Sequence, residues 1–454
     1  MSCNPIIPNF IGPVPNTSES GEPFGGAGSP VGLTEPRVSE LLSAHQYVDE
    51  EYIVSGTVDG QPYATLLLVR RPQDPQRFSG LVALEPIHIQ GALGLWYTGH
   101  TAILESGHAW VAIGSQREAV EGPIKTSNPI RYANLQVPTA DAGVEDEVHA
   151  ALNRWTQSND TQMPPPALFA MDKISNEIMT QVGAVLKGGS GSGPLPGLLV
   201  KYLIMGGASQ TGHATLNYIR GASAAARLSD GRPVYDGYLP MAAPSWQAVA
   251  GGDAAVIQIF AEGDLVLFDS VGPSGYMGAR LDGDAPNDRF RSYQIVGSSH
   301  LPTRGLKDVA GLPQLGVELQ SGERFTQFPS GAFCQGALVN LVNWITKGVS
   351  PPKAPPIEIV NGEIVRDEFG NAQGGVRSPY VDVPTARYIT ARYVRNLIGV
   401  EVRLPPETLR RLYKSRTTYL QSFNHGIDRL IEGRWILAAD GERLKMEEAQ
   451  SPPF

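Results

Sequence analysis

The segment from 198 to 219, LLVKYLIMGGASQTGHATLNYI, constrains this chain more than any other. A continuous apolar run breaks at two glycines, a serine follows, and apolar residues then recur at helical spacing. Strands that are apolar at every position belong to parallel sheets covered on both faces. A strand that passes into a helix through one tight turn lifts the turn's side chain above the end of the sheet. The turn here is Gly206-Gly207-Ala208-Ser209-Gln210-Thr211-Gly212, so the residue lifted is Ser209. Small neighbours suit it, because backbone segments approach closely there.

Other segments repeat the alternation of strand and helix. EYIVSGTV, ATLLLVRR, LVALEPIHI and HAWVAIGSQ are short runs bounded by turn residues and predict strands. Residues 145–158 and 166–187 predict helices. YLPMAA, AAVIQIFAEGD and FRSYQIVGSSH predict three more strands, and 330–347 predicts a helix. The expected fold class is therefore α/β, a mostly parallel central sheet with helices on both faces. Residues 1–36, rich in Pro, Gly and Ser, read as an irregular arm. Residues 37–348 read as the core with inserted helices, and 349–454 as a C-terminal hairpin and helical region. Tyr413, Tyr419, Phe423 and Trp435 are more aromatic surface than a free tail needs, so that region is expected to pack on the core and help shape a pocket.

A serine hydroxyl is a weak nucleophile at neutral pH and needs a base. The bland reading of Ser209 is a helix N-cap. Strand–turn–helix context favours a nucleophile, although Thr211 replaces the usual second glycine and Gly212 follows it. Where a nucleophilic serine sits on such a strand–turn–helix, the order along the chain is Ser, acid, His. His300, in a polar turn after a strand, is the expected base; His425 lies far downstream in a helix-like segment. His213 shares a helix with Ser209 and is expected to pack or cap; His45, His88, His100, His108 and His149 read as ordinary hydrogen-bonded or exposed imidazoles. Asp264 or Glu262, at the end of AAVIQIF, is the expected acid. A turn at Gly263 favours Asp264 and leaves Glu262 facing the loop. The oxyanion hole is expected from the N–H of Gln210 and one N–H after Pro86, from Ile87, His88 or Ile89.

Composition excludes several classes. The net charge of −9 argues against a nucleic-acid partner, which asks for a basic stripe. No apolar run reaches the ~18 residues of a membrane span. The first twenty residues lack the basic-then-apolar pattern of a signal peptide, so a cytoplasmic location is expected. Cys3 and Cys334 form neither a disulfide framework nor a metal site. No phosphate-loop or dinucleotide motif occurs, and TGHTAILESGH lacks the spacing of a zinc protease. No cofactor and no metal are expected. The expected partner is a small-molecule ester, and the sequence leaves the oligomeric state open.

The blocks HAWVAIGSQREAVEG, YLIMGGASQTG, IQIFAEGD, FRSYQIVGSSH, LVNWITKGVSPP and RDEFGNAQGGVRSPYVDVP resemble the bacterial and fungal alpha/beta-hydrolase-domain proteins. The resemblance runs from LVALEPIHI to the end of the chain. It implies hydrolase chemistry, with the family's serine, acidic pair and histidine at Ser209, Glu262 with Asp264, and His300, and it implies no substrate. One departure is His88, where relatives often carry Asn. The expected reaction is hydrolysis of a carboxylic ester or lactone through an acyl-enzyme. Acyl transfer or amide hydrolysis on the same triad is the alternative, and a ligand-binding protein without turnover is the rival from another class.

Overall fold

A computed structural model describes residues 7–15, 23–24, 38–138, 172–189, 193–243, 249–250, 252–269, 280–304, 317–393 and 396–450. The helix expected over 145–158 and the start of that over 166–187 lie outside the described residues. So does His149.

Among the described residues ten strands form the main sheet: β1 (Asn9–Ile11), β2 (Tyr47–Val58), β3 (Gln61–Pro72), β4 (Leu81–Pro86), β5 (Ala109–Ile113), β6 (Tyr202–Ala208), β7 (Gly237–Met241), β8 (Ala255–Ala261), β9 (Gly283–Ala285) and β10 (Asp288–Ile295). Their spatial order is β1-β2-β3-β5-β4-β6-β7-β8-β10-β9. The six strands from β5 to β10 in that order are parallel, and the flanking strands pair antiparallel. The β2–β3 hairpin turns at Asp59-Gly60, both with positive φ (48° and 75°), as a two-residue turn matched to strand twist requires. Within the stretch read as an irregular arm, β1 adds an edge strand against Ile53–Ser55.

Helices α1 (Val38–His45), α2 (Gly94–Glu105), α3 (Lys173–Gly188), α4 (Gln210–Gly221), α5 (Glu262–Asp269) and α6 (Ser330–Lys347) accompany the sheet. Successive residues of β6 show the layering. A methyl group on Gly206 would lie 3.1 Å from Leu95 of α2, while one on Gly207 would lie 2.8 Å from the Thr211 side chain of α4. Neighbouring positions in a strand point to opposite faces, so α2 and α4 cover opposite sides. β4, β5, β7 and β8 are buried at every residue, and apart from Glu85 in β4 and Gln258 in β8 they are apolar. Strand order reverses between β4 and β6. Ligands of open α/β sheets bind at such switch points, outside the carboxyl ends of the strands.

The C-terminal region is bound into this core. Val376 pairs with the end of β10, through Val296 N to Val376 O (3.1 Å) and Val376 N to Gln294 O (2.7 Å). A small sheet of β11 (Glu323–Phe325), β14 (Ala386–Tyr393) and β15 (Ile398–Arg403) lies beyond a short hairpin, β12 (Ile359–Val360) with β13 (Glu363–Ile364). Helices α7 (Pro406–Tyr413), α8 (Arg416–Glu432) and α9 (Ala438–Gln450) follow. Tyr413, Tyr419 and Phe423 are buried, and the Trp435 ring meets Tyr293 of β10 edge-on at 4.9 Å. Asn340 of α6 donates to Arg434 O at 2.7 Å, and Gln335 to Asp440 at 3.2 Å. Among the described residues no helix is long and apolar enough to cross a membrane.

These contacts predict that a chain ending near Pro351 fails to fold. It would bare α6 and β10 and leave the buried side-chain NH2 groups of Asn340 and Gln335 without these acceptors, at about 1–3 kcal/mol each. Insoluble expression, or loss of a cooperative thermal transition by circular dichroism, is the expected result. A soluble, cooperatively unfolding fragment would overturn it.

Candidate active site

Ser209 sits between β6 and α4 with φ 58° and ψ −122°, a backbone conformation that costs a non-glycine residue about 1–3 kcal/mol. Its surroundings hold it there. The Ser209 N–H donates to Met241 O at 3.0 Å, and its carbonyl accepts from His213 N at 2.9 Å. The Thr211 hydroxyl donates to Ala208 O and accepts from Ala208 N, each at 2.9 Å. Thr211, in the place of the usual glycine, is thus a brace across the turn. The close approach falls one residue later: a methyl group on Gly212 would lie 2.7 Å from Ala243 Cβ.

The Ser209 hydroxyl lies 2.9 Å from His300 Nε2, and His300 Nδ1 lies 2.6 Å from Asp264 Oδ1. A carboxylate only accepts, so Nδ1 carries the proton and donates to Asp264, leaving Nε2 to accept from the hydroxyl. Asp264 is fully buried, and its Oδ2 accepts from Ala261 N at 2.7 Å. Ser209 keeps part of its surface exposed.

The strand β8 ends in the first turn of α5 instead of the expected glycine turn. The two carboxylates part nonetheless. His300 Nδ1 bonds to Asp264, whereas Glu262 accepts from Gly297 N (2.9 Å), Arg366 Nη1 (3.0 Å) and Thr390 Oγ1 (3.3 Å). His425 is exposed on α8.

Of the backbone donors after Pro86, Ile87 N donates to Ile113 O (2.8 Å) and His88 N to Ala92 O (3.1 Å). This corrects His88 as a backbone donor, because its N–H closes the loop's own turn. Among the described residues no acceptor is found for the N–H of Ile89 or of Gln210. The loop is held near the serine by Gly94, where a methyl group would lie 2.6 Å from Ala208 Cβ. His88 Nδ1 accepts from Gln90 N at 3.0 Å, which places the proton of its neutral ring on Nε2. Gln116, at the end of the β5 segment, accepts from the Gln210 side chain at 2.8 Å. The sequence reading missed Gln116, Thr390 and Arg366; their position depends on pairing between distant segments, which leaves no local pattern.

A model of the alpha/beta hydrolase domain matches residues 11–446. The chain belongs to the alpha/beta hydrolase domain family. No curated protein matches this alpha/beta hydrolase. It is similar to the solved structure of esterase Est22, at 15% identity and TM-score 0.23, over 46% of this chain and 49% of that one. It is also similar to the rice cell wall degrading esterase LipA from Xanthomonas oryzae, at 16% and 0.24, over 45% and 46%. A third is the feruloyl esterase module from Clostridium thermocellum in its S954A form with sinapinate, at 11% and 0.24, over 62% and 84%. The chain spans about half the length of the first two.

Two imidazoles near His300 are held neutral. Burial, reinforced by nearby His300, lowers His88 to about 4. Burial, then His300 and Arg220, lowers His213 to about 3. An unfolded histidine titrates near 6.5. The unfolded chain therefore binds more protons than the folded one between these values. The stability that these two residues contribute is complete above about pH 6.5 and is lost as the pH falls toward their folded values. The thermal midpoint should fall in that direction, and the imidazole C–H resonances of His88 and His213 should not titrate above pH 5. A transition near 6.5 for either ring would contradict its burial as a neutral base.

Proposed function

We propose that this chain is a serine hydrolase that cleaves a carboxylic ester or lactone through an acyl-enzyme. The observation that carries the reading is the unbroken line of contacts from the Ser209 hydroxyl through His300 to buried Asp264. His300 Nε2 takes the hydroxyl proton as Ser209 Oγ bonds to the substrate carbonyl carbon. The tetrahedral intermediate carries its negative charge on the former carbonyl oxygen. The N–H groups of Gln210 and Ile89 are the donors proposed for it, with the N-terminus of α4 adding its positive end. His300 then returns the proton to the leaving oxygen, and the acyl-enzyme forms. Water, deprotonated by His300, attacks the acyl carbon and releases the acid and free Ser209. Asp264 fixes the His300 tautomer and stabilises the cationic ring.

A fluorophosphonate probe should label Ser209 in the wild-type chain. Ser209→Ala should abolish labelling and cut turnover of a simple aryl ester by at least ~10³-fold. A wild-type chain that takes up no probe and turns over no ester or amide would favour a ligand-binding protein on the same scaffold.

The two carboxylates give a second test. Asp264→Asn should preserve packing while spoiling the histidine tautomer, with a loss in kcat that reaches about 10⁴-fold in such triads. Glu262→Gln should cost far less. Steady-state kinetics on both variants, with circular dichroism confirming their fold, give the ranking; the reverse ranking would assign the acid to Glu262.

A further inference from the structure

We propose that Glu262 and Arg366 form a positioning pair that sets the place of His300 from the C-terminal region. This rests on the serine-hydrolase reading above. Residues 296–300 form no strand or helix, so His300 has no regular element to hold it. The loop is held instead by the start of α5. Gly263 N donates to Ser298 O at 3.0 Å, Glu262 N to Ser298 Oγ at 3.3 Å, and the Glu262 carboxylate takes the Gly297 N–H. On its other side the carboxylate meets Arg366, beyond β13, and Thr390 of β14. A single buried side chain thus joins the loop of His300 to two C-terminal segments.

The packing around it is at backbone contact. A methyl group on Gly263 would lie 2.7 Å from Thr390 O and 3.2 Å from His300 N. Leu301 N donates to Leu397 O at 2.9 Å, directly after His300. A shift of Thr390 or Arg366 is therefore passed to the backbone that carries the imidazole.

Charge explains why an ion pair holds this place. Glu262 is 1% exposed, and a buried carboxylate is costly without a cation and donors. Arg366, 31% exposed, supplies the cation and also donates to Gly370 O at 3.1 Å, which fixes its own loop. Removing Arg366 leaves a buried anion whose easiest relief is to move toward water and draw Gly297 with it. Displacements of about 1 Å at a reacting centre can cost on the order of 10²-fold in rate.

The test uses the full chain with Arg366→Met, Arg366→Lys and Thr390→Val. Arg366→Met should lower kcat by about 10- to 100-fold with KM within about twofold. The downfield proton resonance of His300 Nδ1–H, which reports its bond to Asp264, should move or broaden. Arg366→Lys keeps the charge and should restore most of both. Thr390→Val, nearly isosteric, should give a smaller change of the same kind and serves where Arg366→Met does not fold. Rates are taken per fluorophosphonate-titrated site, so that a smaller folded fraction does not imitate the effect. Unchanged kcat and an unmoved resonance in a folded Arg366→Met or Thr390→Val chain would overturn the proposal. So would a loss in Arg366→Met that Arg366→Lys fails to rescue. Those outcomes leave the hydrolase reading intact if Ser209→Ala is inactive, whereas an active Ser209→Ala overturns that reading.

Discussion

The site depends first on the backbone of Ser209, held where only glycine rests without strain. The conformation costs about 1–3 kcal/mol. It is offset by bonds that exist only when the turn is closed: Ser209 to Met241 of the next strand, and the double contact of Thr211 with Ala208. Each is worth about 1 kcal/mol net, so three of them match the strain. The turn is closed by its neighbours and not by its own preference. That closure puts Ser209 and Gln210 at the carboxyl end of β6, beside the switch between β4 and β6.

Buried carboxylates at strand ends then place the loops around the serine. At the end of β4, Glu85 is fully buried and accepts from Leu95 N, Trp96 N and Trp110 Nε1 at 2.8–2.9 Å. Leu95 and Trp96 open α2, whose N–H groups have no acceptor within the helix, and the helix dipole favours an anion there. Glu85 therefore pins both ends of the loop that carries His88 and Ile89. After β8, Asp264 fixes the His300 ring and Glu262 fixes the loop behind it. All three anions are shielded from water, so donors of the protein replace their hydration. The carboxylates are costly anywhere else, and this ties each loop to one arrangement.

The parts of this design written locally were legible. The passage from LLVKYLIM through two glycines to a helix marks a strand–turn–helix by its period and small residues alone. The parallel core strands followed from apolar runs bounded by turn residues. Segments whose character comes from distant partners were harder. TGHTAILE is the end of α2, whose start is capped by Glu85 from β4, outside any helical window. β14 pairs with β15, and β15 with β11 some seventy residues upstream, and their alternation with charged residues gave no strand signal. The junction after β8 reads as a glycine turn, because Gly263 follows an apolar run and turns favour glycine. The chain keeps glycine there since Thr390 O and His300 N leave no room for a side chain, and this tertiary demand outweighs helix propensity.

The same demand bears on what the C-terminal region is. A separate module would keep its own core and touch the hydrolase through a polar seam. Here Val376 extends the hydrogen bonding of β10, Trp435 lies on Tyr293, and Leu397 receives the N–H of the residue after His300. Gly399 packs so closely on Ser299 that it admits no side chain. The histidine loop thus lies in a seam, with α5 on one side and Thr390 of β14, Leu397 and Gly399 of β15 on the other. Neither wall is sufficient by itself. α5 supplies the Glu262 carboxylate, whose charge needs Arg366, and the C-terminal strands supply backbone that needs the glycine of α5 to come near. A loop without regular structure gains a single position only when both walls are present. The contacts around His300 therefore require the two parts of the chain to fold as one unit.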